Sequence, residues 1–169
     1  YMFTQRGFFH LLFNMLWLYW LGLIFLDFLN KRQFMFTYLA GGIMGALLYL
    51  LAYNLLPVFS ESVERSILLG SSASVMAVVV ATATLVPNFT IQLLFLGGVK
   101  LKYLALAYFI LDIIGISSEP GGSLAHIGGA ILGFVYIQQL NRGTDFSNVL
   151  KRPTKLKVVK NKSDGSPSG

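Results

Sequence analysis

Leu68-Leu69-Gly70-Ser71-Ser72-Ala73-Ser74-Val75-Met76-Ala77 opens on a glycine and a serine cluster and continues into Val78-Val79-Val80-Ala81. The stretch is small and hydroxylated where it begins and apolar where it continues. That pattern reads as a membrane helix with small polar residues near one end. Such residues ordinarily let helices pack closely, or bond back to a carbonyl one turn up. The other reading is a serine that does chemistry. The placement of the only two histidines, His10 and His126, bears on which reading applies.

The surrounding composition supports a membrane setting. Of 169 residues, 55% are apolar and 12% charged, and mean hydropathy is +0.67. Soluble domains carry about 25% charged residues. The chain therefore reads as an integral membrane protein, long enough for one compact bundle. The absence of cysteine excludes disulfides, thiol catalysis and thiolate metal sites. Net charge is +6, but seven of the thirteen basic residues lie in the last 28 positions. This is a basic tail suited to anionic lipids on the cytoplasmic side, not a nucleic-acid face. The chain starts at Tyr1, and its first apolar run lacks a basic lead-in and an A-x-A site. A fragment or processed chain, with an upstream part missing, is the expectation.

A spanning helix needs about 20 mainly apolar residues. Five candidates follow: Gly7 to Phe28, Phe34 to Leu56, Leu68 to Val86, Lys102 to Ile116, and Ser123 to Leu140. A polar loop, Ser60 to Ser66, separates the second and third. Ile91 to Val99 is short and glycine-rich, and reads as a connection at the interface or as part of the next helix. Ser117-Ser118-Glu119-Pro120-Gly121-Gly122 has turn chemistry. The expected organisation is an all-α polytopic membrane bundle over residues 1–142, and a basic, disordered cytoplasmic tail over 143–169.

Five spans place Lys31, Arg32, Lys100, Lys102 and the seven basic residues from Arg142 onward on one side, with only Arg6 and Arg65 on the other. This positive-inside bias sets the C-terminus in the cytoplasm. Spans one, three and five then run in the same direction. His10, Ser72 and His126 each fall near the start of one of them, roughly 5 Å in at about 1.5 Å per residue. Three parallel helices thus bring their unusual polar residues to one depth, in the outer leaflet.

An ionisable group inside a span is a functional hypothesis by default. The bland reading of each histidine is an imidazole satisfied by a neighbouring backbone. His126 stands three residues before Gly129, in a Gly129-x-x-x-Gly133 face that admits close helix approach. A helix lying over those glycines would meet the histidine. The bland reading of that face is a packing motif with an incidental histidine. His10 and Asn14 stack on one helix face and offer two side-chain donors. They suit an oxyanion hole, which needs fixed donors aimed at developing charge. They suit an interhelical polar clamp equally well. The helix start at Gly70-Ser71-Ser72 adds free backbone N–H groups and the positive end of a dipole.

His-x-x-x-Asn in one span, Gly-x-Ser in the next but one, and Ala-His-x-x-Gly-x-x-x-Gly in the last together resemble the rhomboid family of intramembrane serine proteases. The resemblance covers about Tyr1 to Leu140. It implies Ser72 as nucleophile and His126 as general base, a dyad without a carboxylate. It implies His10, Asn14 and the Ser72 backbone N–H as the oxyanion hole. It makes Gly70, Met76, Gly129 and Gly133 the residues that shape the site. Ser71 and Ser74 compete with Ser72, and the Gly-x-Ser register favours Ser72. Asp112, in span four, lies outside the dyad. Three features depart from the family pattern: Ala73 follows Ser72 where glycine is usual, Met76 replaces a common aromatic, and the family's first span and long loop do not precede His10.

The implied reaction is hydrolysis of peptide bonds in transmembrane protein substrates near the outer membrane face. It needs no cofactor and no metal, and involves no nucleic acid; the other partners are membrane lipids. The implied setting is a bacterial inner membrane. The alternative is a catalytically inactive rhomboid-like protein that binds client transmembrane helices. A transporter would need ionisable groups along a path through the membrane, whereas the deep positions here are apolar.

Overall fold

A computed structural model describes residues 2–55, 70–93, 97–114 and 120–151. Its elements are α1 (Met2–Phe28), α2 (Lys31–Leu55), α3 (Gly70–Leu85), a hairpin of β1 (Thr90–Leu93) and β2 (Gly97–Lys100), α4 (Leu101–Ile114), α5 (Pro120–Asn141) and a short 3-10 helix (Phe146–Leu150). The expected loop Ser60–Ser66, residues 68–69 at the start of the third span, residues 115–119 of the expected turn, and 152–169 of the tail lie outside the described residues.

The chain is an all-α membrane bundle, with five α-helices among the described residues. The windows Leu11–Phe28, Lys31–Leu55 and Gly122–Asn141 are long and apolar enough to cross a membrane, and α3 and α4 are shorter apolar helices. Leu12, Trp20, Ile43, Leu51 and Ile131 point outward, exposed. A face this apolar meets lipid rather than water. The α3 helix is the exception. Every residue from Ser72 to Val79 is buried, because α1, α2, α4 and α5 all pack around it. Hydroxyls inside this apolar setting are satisfied locally: Thr37, Thr82 and Thr84 donate to the carbonyls of Gln33, Val78 and Val80, four residues back.

Small residues set how the helices cross. A Cβ placed on Gly129 would run into the Ala73 carbonyl oxygen, and one on Gly133 into the Ala77 carbonyl oxygen. Advancing four residues on α5 advances four on α3, so the two helices run parallel. Gly41 meets the Ala77 methyl and Gly45 the Ala73 methyl, so α2 runs antiparallel to α3. Leu21 of α1 joins Val75, Val79 and Ala83 of α3 and Leu101 and Ala105 of α4 in one apolar cluster.

Two stretches differ from expectation. Residues 90–100 form an antiparallel hairpin, pairing Ile91 with Val99 and Thr90 with Lys100. Ile91 turns inward onto the α1–α3–α4 cluster while Thr90 and Gln92 stay exposed, the alternation that a strand imposes. Gly97 has φ of +68°, a conformation glycine adopts at low cost.

The segment expected as loose tail is docked where it begins. The α5 helix ends in a Schellman turn: Gly143, with φ of +89°, donates to the Leu140 carbonyl, and Thr144 donates to that of Gln139. The chain then turns back to Asp145. That carboxylate accepts from Ser147 N (2.9 Å), Tyr136 OH (2.9 Å), Arg32 Nη2 (3.0 Å) and Gln33 Nε2 (3.2 Å). Arg32 Nε also reaches Ser147 Oγ at 3.0 Å. Gln33 itself belongs to the start of α2, where its Oε1 accepts from Asn30 N and its own N donates to Asn30 Oδ1. This reciprocal cap satisfies two donors at the helix N-terminus. It also presents Gln33 and Arg32 to the returning chain.

Candidate active site

The candidate residues lie in the first halves of α1 (His10 and Asn14), α3 (Ser72) and α5 (His126). Ser72 is the third residue of α3 and is 5% exposed; Ser74 is also buried, whereas Ser71 is exposed. Successive helix residues turn by about 100°, so Ser72 and Ser74 face different neighbours. The Cα of Ser74 lies 3.6 Å from where a Cβ on Gly41 would stand, which sets Ser74 on the α2 side. Ser72 shares its face with Val75 and Val79, the residues that pack on Leu21 of α1. Ser72 therefore lies on the side of α3 turned to α1, beside the α3–α5 contact.

His126 sits in the first half of α5 and is 8% exposed, and its Nε2 atom is sealed from solvent. The Ala73–Gly129 contact sets its level. Three residues back from Gly129 on α5 corresponds to about residue 70 on α3, so Ser72 and His126 differ in height by about 3 Å at 1.5 Å per residue. They flank one backbone-to-backbone contact between parallel helices.

Asn14 is 4% exposed and lies on the buried stripe of α1 that continues through Leu21 and Phe25. It stands seven residues before Leu21, which clusters with Val75, Val79 and Ala83 of α3, so Asn14 comes within about one turn of the height of Ser72. His10 lies one turn earlier on α1; its side chain is outside the described residues, as is that of Asp112 on α4. Ser123, one turn before His126 on α5, is a further buried hydroxyl at this level.

Of the residues expected to shape the site, Gly70 opens α3, Met76 is fully buried one turn below Ser72, and Gly129 and Gly133 carry the contact with Ala73 and Ala77. The methyl of Ala73 is accommodated because the residue facing it, Gly45, has none. A Cβ on Gly45 would stand 2.6 Å from it. The glycines of α2 were not singled out by the sequence reading. Their Gly41-x-x-x-Gly45 spacing carries the same signal as the Gly129–Gly133 face. A Cβ on Gly45 would also stand 2.7 Å from the Ala125 carbonyl oxygen, and one on Gly128 2.7 Å from the Met44 carbonyl oxygen. Three helices therefore meet at small residues immediately below Ser72 and His126.

The arrangement suits nucleophilic chemistry in a dry setting. A hydroxyl and an imidazole are held within about 3 Å of one height by two packed helices, with an amide on a third. Among the described residues no cluster of His, Asp or Glu is suited to hold a metal ion.

A family model described as Rhomboid domain matches residues 1–142. No curated protein and no solved structure matches the chain.

Proposed function

This chain belongs to the rhomboid family, and from that premise we propose that it is an intramembrane serine protease acting through Ser72 and His126. The observation that carries the proposal is the contact of Gly129 with the Ala73 backbone, because it fixes the helix bearing the histidine against the helix bearing the serine within one turn of both. Family membership alone would not separate a protease from a client-binding relative. Retention of both dyad members, each buried and close in height, favours the protease.

In the proposed reaction the Ser72 oxygen attacks a substrate carbonyl carbon while its proton passes to the His126 imidazole. Charge builds on the carbonyl oxygen, which accepts from Asn14, His10 and the Ser72 N–H. The C–N bond breaks, and the proton held by His126 leaves with the new amine. Water, deprotonated by His126, then attacks the ester and releases the acid with Ser72 restored. A helical substrate has its backbone bonds satisfied internally, so it must unwind locally to present a carbonyl. Substrates with helix-breaking residues near the outer end of their span should be cleaved faster than those without.

The side carrying Lys31, Arg32 and the tail is proposed to face the cytoplasm of a bacterial inner membrane, which opens the site toward the outer face. Transmembrane proteins are the proposed substrates. The test is labelling of the detergent-solubilised chain by a fluorophosphonate probe, beside Ser72→Ala and His126→Ala. Labelling lost in both variants supports the dyad. Absence of labelling in a folded parent protein overturns the proposal and favours client binding.

A further inference from the structure

Outside the candidate site, a groove of about 510 Å³ lies between α3, α4 and α5. That volume falls within the range of about 300–1,000 Å³ typical of small-ligand sites. Its walls include Val80, Ala105, Leu106, Phe109, Ile131 and Phe134, and only Thr84 and Lys102 bring polarity. These two are not scattered. Lys102 N donates to the Pro87 carbonyl just past the end of α3, and Leu101 and Ala105 join the α3 residues in one apolar cluster, so α4 rises antiparallel to α3 from its C-terminal end. Thr84 and Lys102 therefore share one end of the groove. From Lys102 to Phe109 it runs about 10 Å along α4 at 1.5 Å per residue. Its inner end reaches Ala130, one turn along α5 from His126.

The polar end has an uncommitted charge. Lys102 is exposed and forms no ion pair among the described residues; its ammonium sits 5.1 Å from the Tyr103 ring centroid, over that ring. Lys100 is exposed two residues earlier. The Thr84 hydroxyl gives its proton to the Val80 carbonyl at 2.7 Å, which leaves Lys102 to supply the charge at this end. A site with a cation at the membrane boundary and an apolar trough leading inward matches an anionic amphiphile in that orientation.

We propose that this groove holds one acyl chain of an anionic membrane phospholipid whose phosphate pairs with Lys102. The lipid comes from the leaflet on the side of Lys31, Arg32 and Arg142. The chain lies between α4 and α5, which meet each other only briefly, and braces them together. This site does not depend on the dyad or on proteolysis.

Native mass spectrometry of the detergent-purified chain tests it, with phosphatidylglycerol or phosphatidylcholine of identical acyl chains added. The expected result is one retained phosphatidylglycerol and weaker retention of phosphatidylcholine. Lys102→Glu should weaken phosphatidylglycerol retention at least about fivefold, the effect of one basic residue near anionic lipid; Lys102→Arg should preserve it. Ile131→Trp, which fills the trough from an exposed position, should remove the bound lipid with the charge left in place. Leu106→Trp is the second filling variant. Equal retention of the two lipids overturns the proposal, as does retention that survives both filling variants.

Discussion

Gly129 of α5 lies against the carbonyl of Ala73 in α3, with no room for a methyl group between the helices. Together with Gly133 on the Ala77 carbonyl it sets how the two helices cross, and it sets the level of His126 relative to Ser72.

Gly129→Ala should therefore push α5 away. Its Cβ meets a backbone oxygen, which no side-chain rotation can move. Overpacking of this kind costs about 1–3 kcal/mol, read as a lower unfolding temperature in detergent. Gly122→Ala on the same helix meets nothing within 4 Å and should change stability by no more than about 0.5 kcal/mol. Equal effects at the two positions would refute the packing account.

Gly41 and Gly133 separate side-chain from backbone contact. A Cβ on Gly41 collides with the Ala77 methyl, and its next neighbours stand at an ordinary 3.6 Å. A Cβ on Gly133 collides with the Ala77 carbonyl. Ala77→Gly should therefore rescue Gly41→Ala and leave Gly133→Ala unrescued. A double-mutant cycle should find a coupling of about 1 kcal/mol for the first pair and none for the second.

Asn14→Ala tests the oxyanion donor. Loss of one such donor should lower kcat about 10²-fold with KM little changed. Ser71→Ala, at an exposed position, should keep probe labelling and turnover. Loss of labelling in Ser71→Ala alone would move the nucleophile by one residue.

Asp145→Ala should release the docked start of the tail from α2. Burial opposes ionisation of this carboxyl, but hydrogen bonds from Ser147, Tyr136 and Arg32 outweigh it and hold the group at about 2, below its ordinary 3.8. A depressed carboxyl stabilises the fold fully above its unfolded value. Its contribution should thus be constant above about pH 4 and fade as pH falls toward 2. Unfolding free energies of parent and variant should differ at pH 7, by about 2 kcal/mol, and converge near pH 2. A difference independent of pH across that window would show that the Asp145 charge is not what holds the segment.

The helices were legible because apolar runs of spanning length leave few alternatives, and the three polar motifs fell in spans of the same direction. The centrality of α3 was not legible. A helix apolar all round reads alike whether lipid or protein surrounds it. The hairpin was hidden in a glycine-rich stretch too short to show a period. The anchoring of Asp145 by Arg32 joins residues 113 apart, and no local pattern announces it.

By itself the sequence determined a helical membrane bundle, where its five helices run, and the positions of the rhomboid motifs along the chain, since these follow from hydropathy, spacing and residue chemistry. Only the tertiary structure decided which small residues touch. Gly41 and Gly45 opened a place for Ala77 and Ala73, and Gly129 and Gly133 received their carbonyls. Close approach depends on two surfaces lacking bulk at one point, and a linear chain specifies each surface without saying which will meet.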